Sequence, residues 1–189
     1  MRLRPACLLP VSLLLVACAS SPPSRAPDLA PAPVAIGTVA KAQAALAPAS
    51  ASLVSGRLVL VGEPGAVRLT GTVGGLPPDA RVAFHIHEKG DCSAADASSA
   101  GAHFNPAGQA HGGPDTTVRH LGDLDNLTAD SRGRVNVEIL APAVVLGGGA
   151  SNDILGRALV IHAQPDDHHS QPAGNAGSRI ACGPIRALP

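Results

Sequence analysis

Apolar and polar residues alternate in five separate stretches of this chain. In GRLVLV (Gly56 to Val61) Leu58 and Leu60 fall on alternate positions, and in AVRLTGTV (Ala66 to Val73) Val67, Leu69 and Val73 are interleaved with Arg68, Thr70 and Thr72. RVAFHIHE (Arg81 to Glu88), RVNVEI (Arg134 to Ile139) and GRALVIHA (Gly156 to Ala163) follow the same period. A period of two is that of an extended strand, whose successive side chains point to opposite faces. Gly and Pro clusters separate the stretches, and no apolar helical period appears after the leading residues. The pattern predicts an all-β sandwich or barrel. A first strand is expected somewhere in Ala42 to Leu46, which is alanine-rich. From Asp91 to Gly133 run roughly forty residues dense in Gly, Asp, Asn and Pro with no element of their own. A loop of that length in a compact domain needs a ligand or a function to organise it.

The chain start reads as an address. Arg2 and Arg4 precede an apolar run, Ala6 to Ala17, too short to span a bilayer but suited to a secretory signal over residues 1–17. It ends in Leu15-Val16-Ala17-Cys18, which resembles a bacterial lipobox. Cys18 would then be lipidated and become the new N-terminus, anchoring the chain to a membrane; a plain leader that contains a cysteine is the alternative. Ala19 and Ser20 follow with no Asp, which by analogy with lipoprotein sorting favours the outer membrane, within a periplasmic or cell-envelope location. Residues 18–41, rich in Ala, Pro and Ser, read as a tether, and 42–189 as the folded domain.

Charge and composition narrow the partners. Lys plus Arg and Asp plus Glu number 14 each, and removing Arg2 and Arg4 leaves 12 basic against 14 acidic side chains, a net near −2. No basic surface points to nucleic acid. With two Phe, no Trp and no Tyr, the core must come from Val, Leu, Ile and Ala, and aromatic platforms for single strands are excluded. Cys7 leaves with the signal and Cys18 carries lipid, so Cys92 and Cys182 remain. In an exported chain two cysteines most simply form one disulfide; two buried thiols are the alternative.

The chemistry lies in the histidines. In FHIHEKGDC (Phe84 to Cys92) the alternation puts His85 and His87 on the face opposite Phe84 and Ile86, on the outer wall of the sheet and beneath the long loop. Alone, this pair reads first as two solvated strand histidines. Within the loop stand His103, His111, His120 and Asp123, and three histidines with one carboxylate can close a tetrahedral zinc site that also orders the loop. His85, His87 and His162 remain for a second ion, and an imidazole-rich site with an open position favours Cu²⁺. His168 and His169 are expected as exposed loop residues.

AFHIHEKGDCS and GNAGSRIACGPI resemble the two signature stretches of Cu/Zn superoxide dismutases, and GAHFNP, AHGGP and RHLGDL fall between them at that family's steps of eight, nine and three residues. The match runs from about residue 42 to Ile185. The resemblance implies a Greek-key β-barrel or sandwich with long metal-binding loops. It implies copper on His85, His87, His103 and His162, and zinc on His103, His111, His120 and Asp123, with His103 bridging both ions. It further implies a Cys92–Cys182 disulfide tying the loop to the last strand, Asp166 accepting hydrogen bonds from His85 and His111, and Arg179 beside the open copper position. The implied activity is conversion of superoxide to oxygen and hydrogen peroxide by copper cycling, with Arg179 orienting the anion and His103 moving a proton.

The stretch from His162 to Arg179 is short, so electrostatic guidance is expected from Lys89 and Arg119 instead. A metal-buffering lipoprotein would need the ligands but not Arg179, and a copper-delivery domain would carry a CxC or CxxC pair, which this sequence lacks. Asn126-Leu127-Thr128 fits a glycosylation acceptor and reads as coincidence in a bacterial lipoprotein. Monomer and homodimer are both left open.

Overall fold

The computed structural model describes residues 37–189. The signal segment, Cys18 and most of the expected tether lie outside them. Among the described residues nine strands account for nearly all the regular structure: β1 (Lys41–Pro48), β2 (Ser55–Glu63), β3 (Ala66–Gly74), β4 (Arg81–Val82), β5 (Phe84–His87), β6 (Leu127–Thr128), β7 (Val135–Pro142), β8 (Ala158–His162) and β9 (Arg179–Ala187). A single 3₁₀ turn, Ser98–Ala100, is the one helical element among the described residues. The fold is all-β, as the alternation requires.

Seven strands form one antiparallel sheet in the order β5-β8-β9-β1-β2-β3-β7, and β4 pairs with β6. After β3 the chain crosses to β5 at the far edge, returns to β7 beside β3, and crosses again to β8 beside β5. Such crossings give Greek-key connectivity. β4 and β5 are one extended segment broken at Ala83, whose N–H donates to Gln164 O and whose carbonyl accepts from His162 N–H. One half of that segment therefore pairs with β6 and the other with β8, which curls the sheet over its core.

Alternation decides what faces inward. In β7 every second residue from Val135 is buried and the others are exposed. Leu58 and Leu60 of β2 and Leu69 of β3 are fully buried in the main apolar cluster with Phe84, Ile86, Leu159 and Ile161. Truncating any of these leucines to alanine costs about 2–5 kcal/mol. β5 and β8 differ, because all of their residues are buried. Their inward set (Phe84, Ile86, Leu159, Ile161) joins the core, while Ala158 and Val160 join a second cluster with Ala49, Ala97, Ala100 and Cys182. That second cluster is made of small residues and lies under the loop that begins at Asp91. A disulfide, Cys92–Cys182, ties this loop to β9 across a sequence separation of 90 residues.

The loop is held as its length demanded. Phe104 N–H donates to Ile86 O, Ile86 N–H to Gly122 O, and Gly122 N–H to Phe104 O. Two loop segments thus cover the open edge of β5, with His103 bridged to His87 and Asp123 to His85. Gly122 permits this approach, since a Cβ there would overlap the Ile86 carbonyl.

Candidate metal centre

The backbone arrangement brings all seven expected donors into two adjoining buried groups. One is His85, His87, His103 and His162, and the other is His103, His111, His120 and Asp123; within each, one donor atom per residue lies within 4.8 Å of the others. None of the seven is more than 6% exposed, so the solvated reading of His85 and His87 fails. They lie opposite Phe84 and Ile86 and beneath the loop.

Hydrogen bonds define which ring nitrogen each histidine leaves free. His85 Nε2 pairs with Asp166 Oδ2 at 2.8 Å and His111 Nε2 with Asp166 Oδ1 at 2.9 Å, so both present Nδ1 to their groups. Asp166 is the shared carboxylate between the two groups. His87 Nδ1 donates to Gly101 O at 2.9 Å and His162 Nδ1 to Gly177 O at 3.3 Å. That tautomer leaves the Nε2 lone pairs of His87 and His162 facing each other at 3.3 Å. His103 places Nδ1 against Asp123 Oδ1 at 2.9 Å and leaves Nε2 to the first group. Asp123 Oδ1 also meets His120 Nδ1 and His111 Nδ1, each at 3.1 Å, while Oδ2 accepts from the backbone N–H of His120 and Gly112.

Within the two groups, three buried ring nitrogens, His85 Nδ1, His103 Nε2 and His111 Nδ1, have no hydrogen-bond partner. His111 Nδ1 is close to Asp123 but outside hydrogen-bonding geometry. A buried polar atom left unpaired is costly, and here each is the nitrogen its residue turns toward a group. Opposed lone pairs and orphaned nitrogens are what cations would satisfy. An N₄ set suits copper and an N₃O set suits zinc, so the residues present fit both ions.

The local fields agree. Burial, followed by the repulsion of His103, lowers His87 to about 2; burial and His85 lower His162 to about 3. Burial lowers His103 to about 4 against the opposing pull of Asp123. These rings stay neutral at physiological pH, as metal ligation requires. Burial acts on His111 in the same sense, but the adjacent Asp123 carboxylate and the hydrogen bond to Asp166 overcome it and hold this ring at about 9. Burial would raise both aspartates; hydrogen bonds from His103 and His120 and the adjacent His111 ring hold Asp123 well below the carboxylate range, and bonds from His111 and His85 do the same for Asp166.

Arg179, the first residue of β9, is half-buried at a cavity of about 490 Å³ that reaches His87, His103 and His162. Its guanidinium donates to Ala97 O at 2.7 Å and Gly101 O at 2.6 Å. The Gly101 carbonyl therefore orients both Arg179 and His87. Because Cys92 anchors that loop, the disulfide also steadies the carbonyls that aim the arginine.

The two cations expected to guide the anion lie off the cavity: neither Lys89 nor Arg119 lines it, and Arg119 Nη1 donates to Asp123 O at 2.7 Å and so braces a loop ligand. One expectation changes. His168 is not a free loop residue, because its ring packs over Gly113 and its Nδ1 is buried, whereas His169 is exposed. Sequence reasoning also missed Gln171, whose Oε1 accepts from His111 N–H and whose Nε2 donates to His111 O, both at 2.9 Å. It missed Gly174, where a Cβ would overlap Asp166 Oδ1. The run GNAG held a glycine whose purpose no neighbouring residue explains.

A curled antiparallel barrel whose outer wall carries two buried donor groups sharing one imidazole defines a protein built to hold two metal ions side by side. Residues 54–185 match the copper/zinc superoxide dismutase (SODC) family. The chain belongs to that family, which uses copper and zinc. It is 51% identical over 115 residues to Cu-Zn superoxide dismutase 2 of Aquifex aeolicus, covering 59% of this chain and 67% of that protein. It is 41% identical over 138 residues to the Cu-Zn superoxide dismutase of Paramecium bursaria Chlorella virus 1, covering 70% and 72%. Among solved structures, the clock protein EA4 superposes with a TM-score of 0.71 at 36% identity, covering 82% of this chain and 98% of that one. A SOD-like protein from Bacillus subtilis, solved as a double mutant, superposes at 0.70 and 35% identity, covering 77% and 97%.

Proposed function

We propose that this chain is a superoxide dismutase in which His85, His87, His103 and His162 hold copper and His103, His111, His120 and Asp123 hold zinc. The reading is carried by His103, which gives Nδ1 to the Asp123 group and keeps an unpartnered Nε2 for the other histidines, next to a cavity edged by Arg179. When bound, copper supplies a one-electron couple between Cu(II) and Cu(I), and zinc supplies fixed positive charge on the other side of the shared ring. Across the cycle two superoxide anions and two protons become one oxygen and one hydrogen peroxide.

The chain's own residues bind the anion, orient it and deliver a proton. Arg179 is permanently charged, and its planar donors, braced by Ala97 O and Gly101 O, attract superoxide and fix its approach. His103 Nε2 is the group that takes up a proton in one half of the cycle and gives it to the forming peroxide in the other. Asp123 holds the far side of that ring, and the buried setting keeps bulk water from competing for the proton. Cys92–Cys182 and the Gly101 carbonyl keep Arg179 and His87 in register.

The test is superoxide turnover by metal-loaded chain beside Arg179→Ala, with metal content measured on both. Loss of a charge-assisted contact of about 1.5–3 kcal/mol lowers turnover by roughly 10- to 100-fold with copper and zinc retained. Equal turnover by the two proteins contradicts the role of Arg179.

We further propose that the chain is a lipoprotein anchored through Cys18 and faces the envelope side of the outer membrane, where it removes superoxide arising outside the cytoplasm. The Leu15-Val16-Ala17-Cys18 run, the absence of Asp at the next position and the disulfide support this reading. Cys18→Ala is expected to abolish incorporation of labelled fatty acid and the processing that removes residues 1–17. Continued incorporation of fatty acid by that variant contradicts it.

A further inference from the structure

We propose that Asn126 is a positioning residue for Asp166 and thereby for both metal groups, an inference that rests on the metal reading above. Asp166 lies in the loop after β8, and its carboxylate ties His85 to His111. What fixes its own backbone is a side chain forty positions away. Asn126 Nδ2 donates to Asp166 O at 3.0 Å, and Asn126 Oδ1 accepts Asp166 N–H at 2.8 Å. Both polar groups of the Asp166 backbone are thus answered by one amide.

The clamp has a firm base and a third contact. Asn126 immediately precedes β6, where Leu127 is buried in the core and pairs with Val82, two residues before Phe84. It is therefore anchored to the segment that carries His85 and His87. Its remaining Nδ2 hydrogen points to His168 Nε2 at 3.3 Å. With Nε2 accepting, the His168 proton resides on Nδ1, which is buried, unpartnered and 3.7 Å from Asp166 Oδ1. His168 adds a polar wall on the same carboxylate. The asparagine of the Asn126-Leu127-Thr128 motif is hence fully employed inside the fold, and a sugar on its Nδ2 would break the clamp.

A residue that orients a ligand's hydrogen-bond partner acts on metal affinity through that partner alone. The experiment measures zinc affinity of the full chain by competition with a chromogenic chelator for wild type, Asn126→Ala, Asp166→Asn and the double variant. Asp166→Asn is expected to weaken zinc about 10- to 100-fold, and Asn126→Ala about 3- to 10-fold. In the Asp166→Asn background Asn126→Ala should add less than about twofold, because the two act as one unit. If Asn126→Ala leaves zinc affinity unchanged while Asp166→Asn weakens it, the proposal fails and the metal reading stands. Equal effects of Asn126→Ala in both backgrounds mean a merely structural role and also overturn it. If Asp166→Asn has no effect, the role of Asp166 in the metal reading fails together with the proposal. Should Asn126→Ala not fold, Asn126→Asp enters the same cycle, keeping the acceptor for Asp166 N–H and losing both donated bonds.

Discussion

The two donor groups share a ring but are built by opposite means. His85, His87 and His162 stand on β5 and β8, neighbouring strands; the ladder to β8 fixes His85 and His87, and His162, at a register shift opposite Arg179, is fixed by its N–H to Ala83 O. His111, His120 and Asp123 stand on loop, and their places are set by side-chain contacts: Gln171 on the backbone of His111, Arg119 on the carbonyl of Asp123, and Asp123 Oδ2 on two backbone N–H groups. The strand-borne group exists because the barrel exists. The loop-borne group depends on contacts that a cation would complete. Such a division suits a centre in which one side must keep its geometry through a redox cycle and the other can be organised by its ion.

The most forceful way to break this comparison is Asp123→Asn. It removes the charge on which three imidazoles converge, so zinc affinity should fall by more than about 100-fold, while copper affinity of the strand-borne group falls by about tenfold or less through His103 alone. Equal losses at both ions, measured by competition titration, would show that the halves are not separable.

A second probe is the pH dependence of stability in the metal-free chain. His87, His103 and His162 bind protons more weakly when folded than when unfolded, so their contribution is present above about 6.5 and is lost as pH falls toward 4. His111 has the opposite sign: its contribution is full below about 6.5 and is lost as pH rises through about 9. Denaturant midpoints should therefore peak near neutrality, falling on the acid side through His87, His162 and the shared His103 and on the alkaline side through His111. A midpoint still rising between pH 8 and pH 10 would contradict the His111 assignment.

The smallest expected effect is that of Lys89→Ala. Lys89 is exposed and does not line the cavity, so at 0.15 M ionic strength screening should leave turnover within about twofold of the parent. A larger loss would return guidance of the anion to that lysine.

The chemistry was more legible in the sequence than the fold that gathers it. β3 and β7 show their period of two in bulky apolar residues, β5 shows it in the FHIH alternation, and β2 and β8 read as continuous apolar runs that follow a Gly-Arg pair. β1 carries the same alternation on Ala42, Ala44 and Leu46, side chains too small to make a strong pattern. β9 contains Gly183 and Pro184 and buries three residues in a row, Ala181 to Gly183, so periodicity does not reveal it; the resemblance alone placed the last strand at Cys182. β4 and β6 are two residues each and have no period to read. Histidine identity and spacing identified the seven donors because few other roles demand those side chains. Asn126 and Gln171 escaped because their task is to touch backbone forty to sixty residues away, and Gly174 because it yields space to the Asp166 carboxylate, whose place only the folded loop reveals.

The central claim is that His103 serves both ions with its two nitrogens. Crystals of the chain loaded with copper and zinc, measured with X-rays tuned to each metal's absorption edge, would test it directly. The account predicts two distinct ions, with zinc about 2.0–2.1 Å from His103 Nδ1 and copper in bonding contact with Nε2. A single ion, or a His103 ring with only one nitrogen in contact with metal, would contradict it.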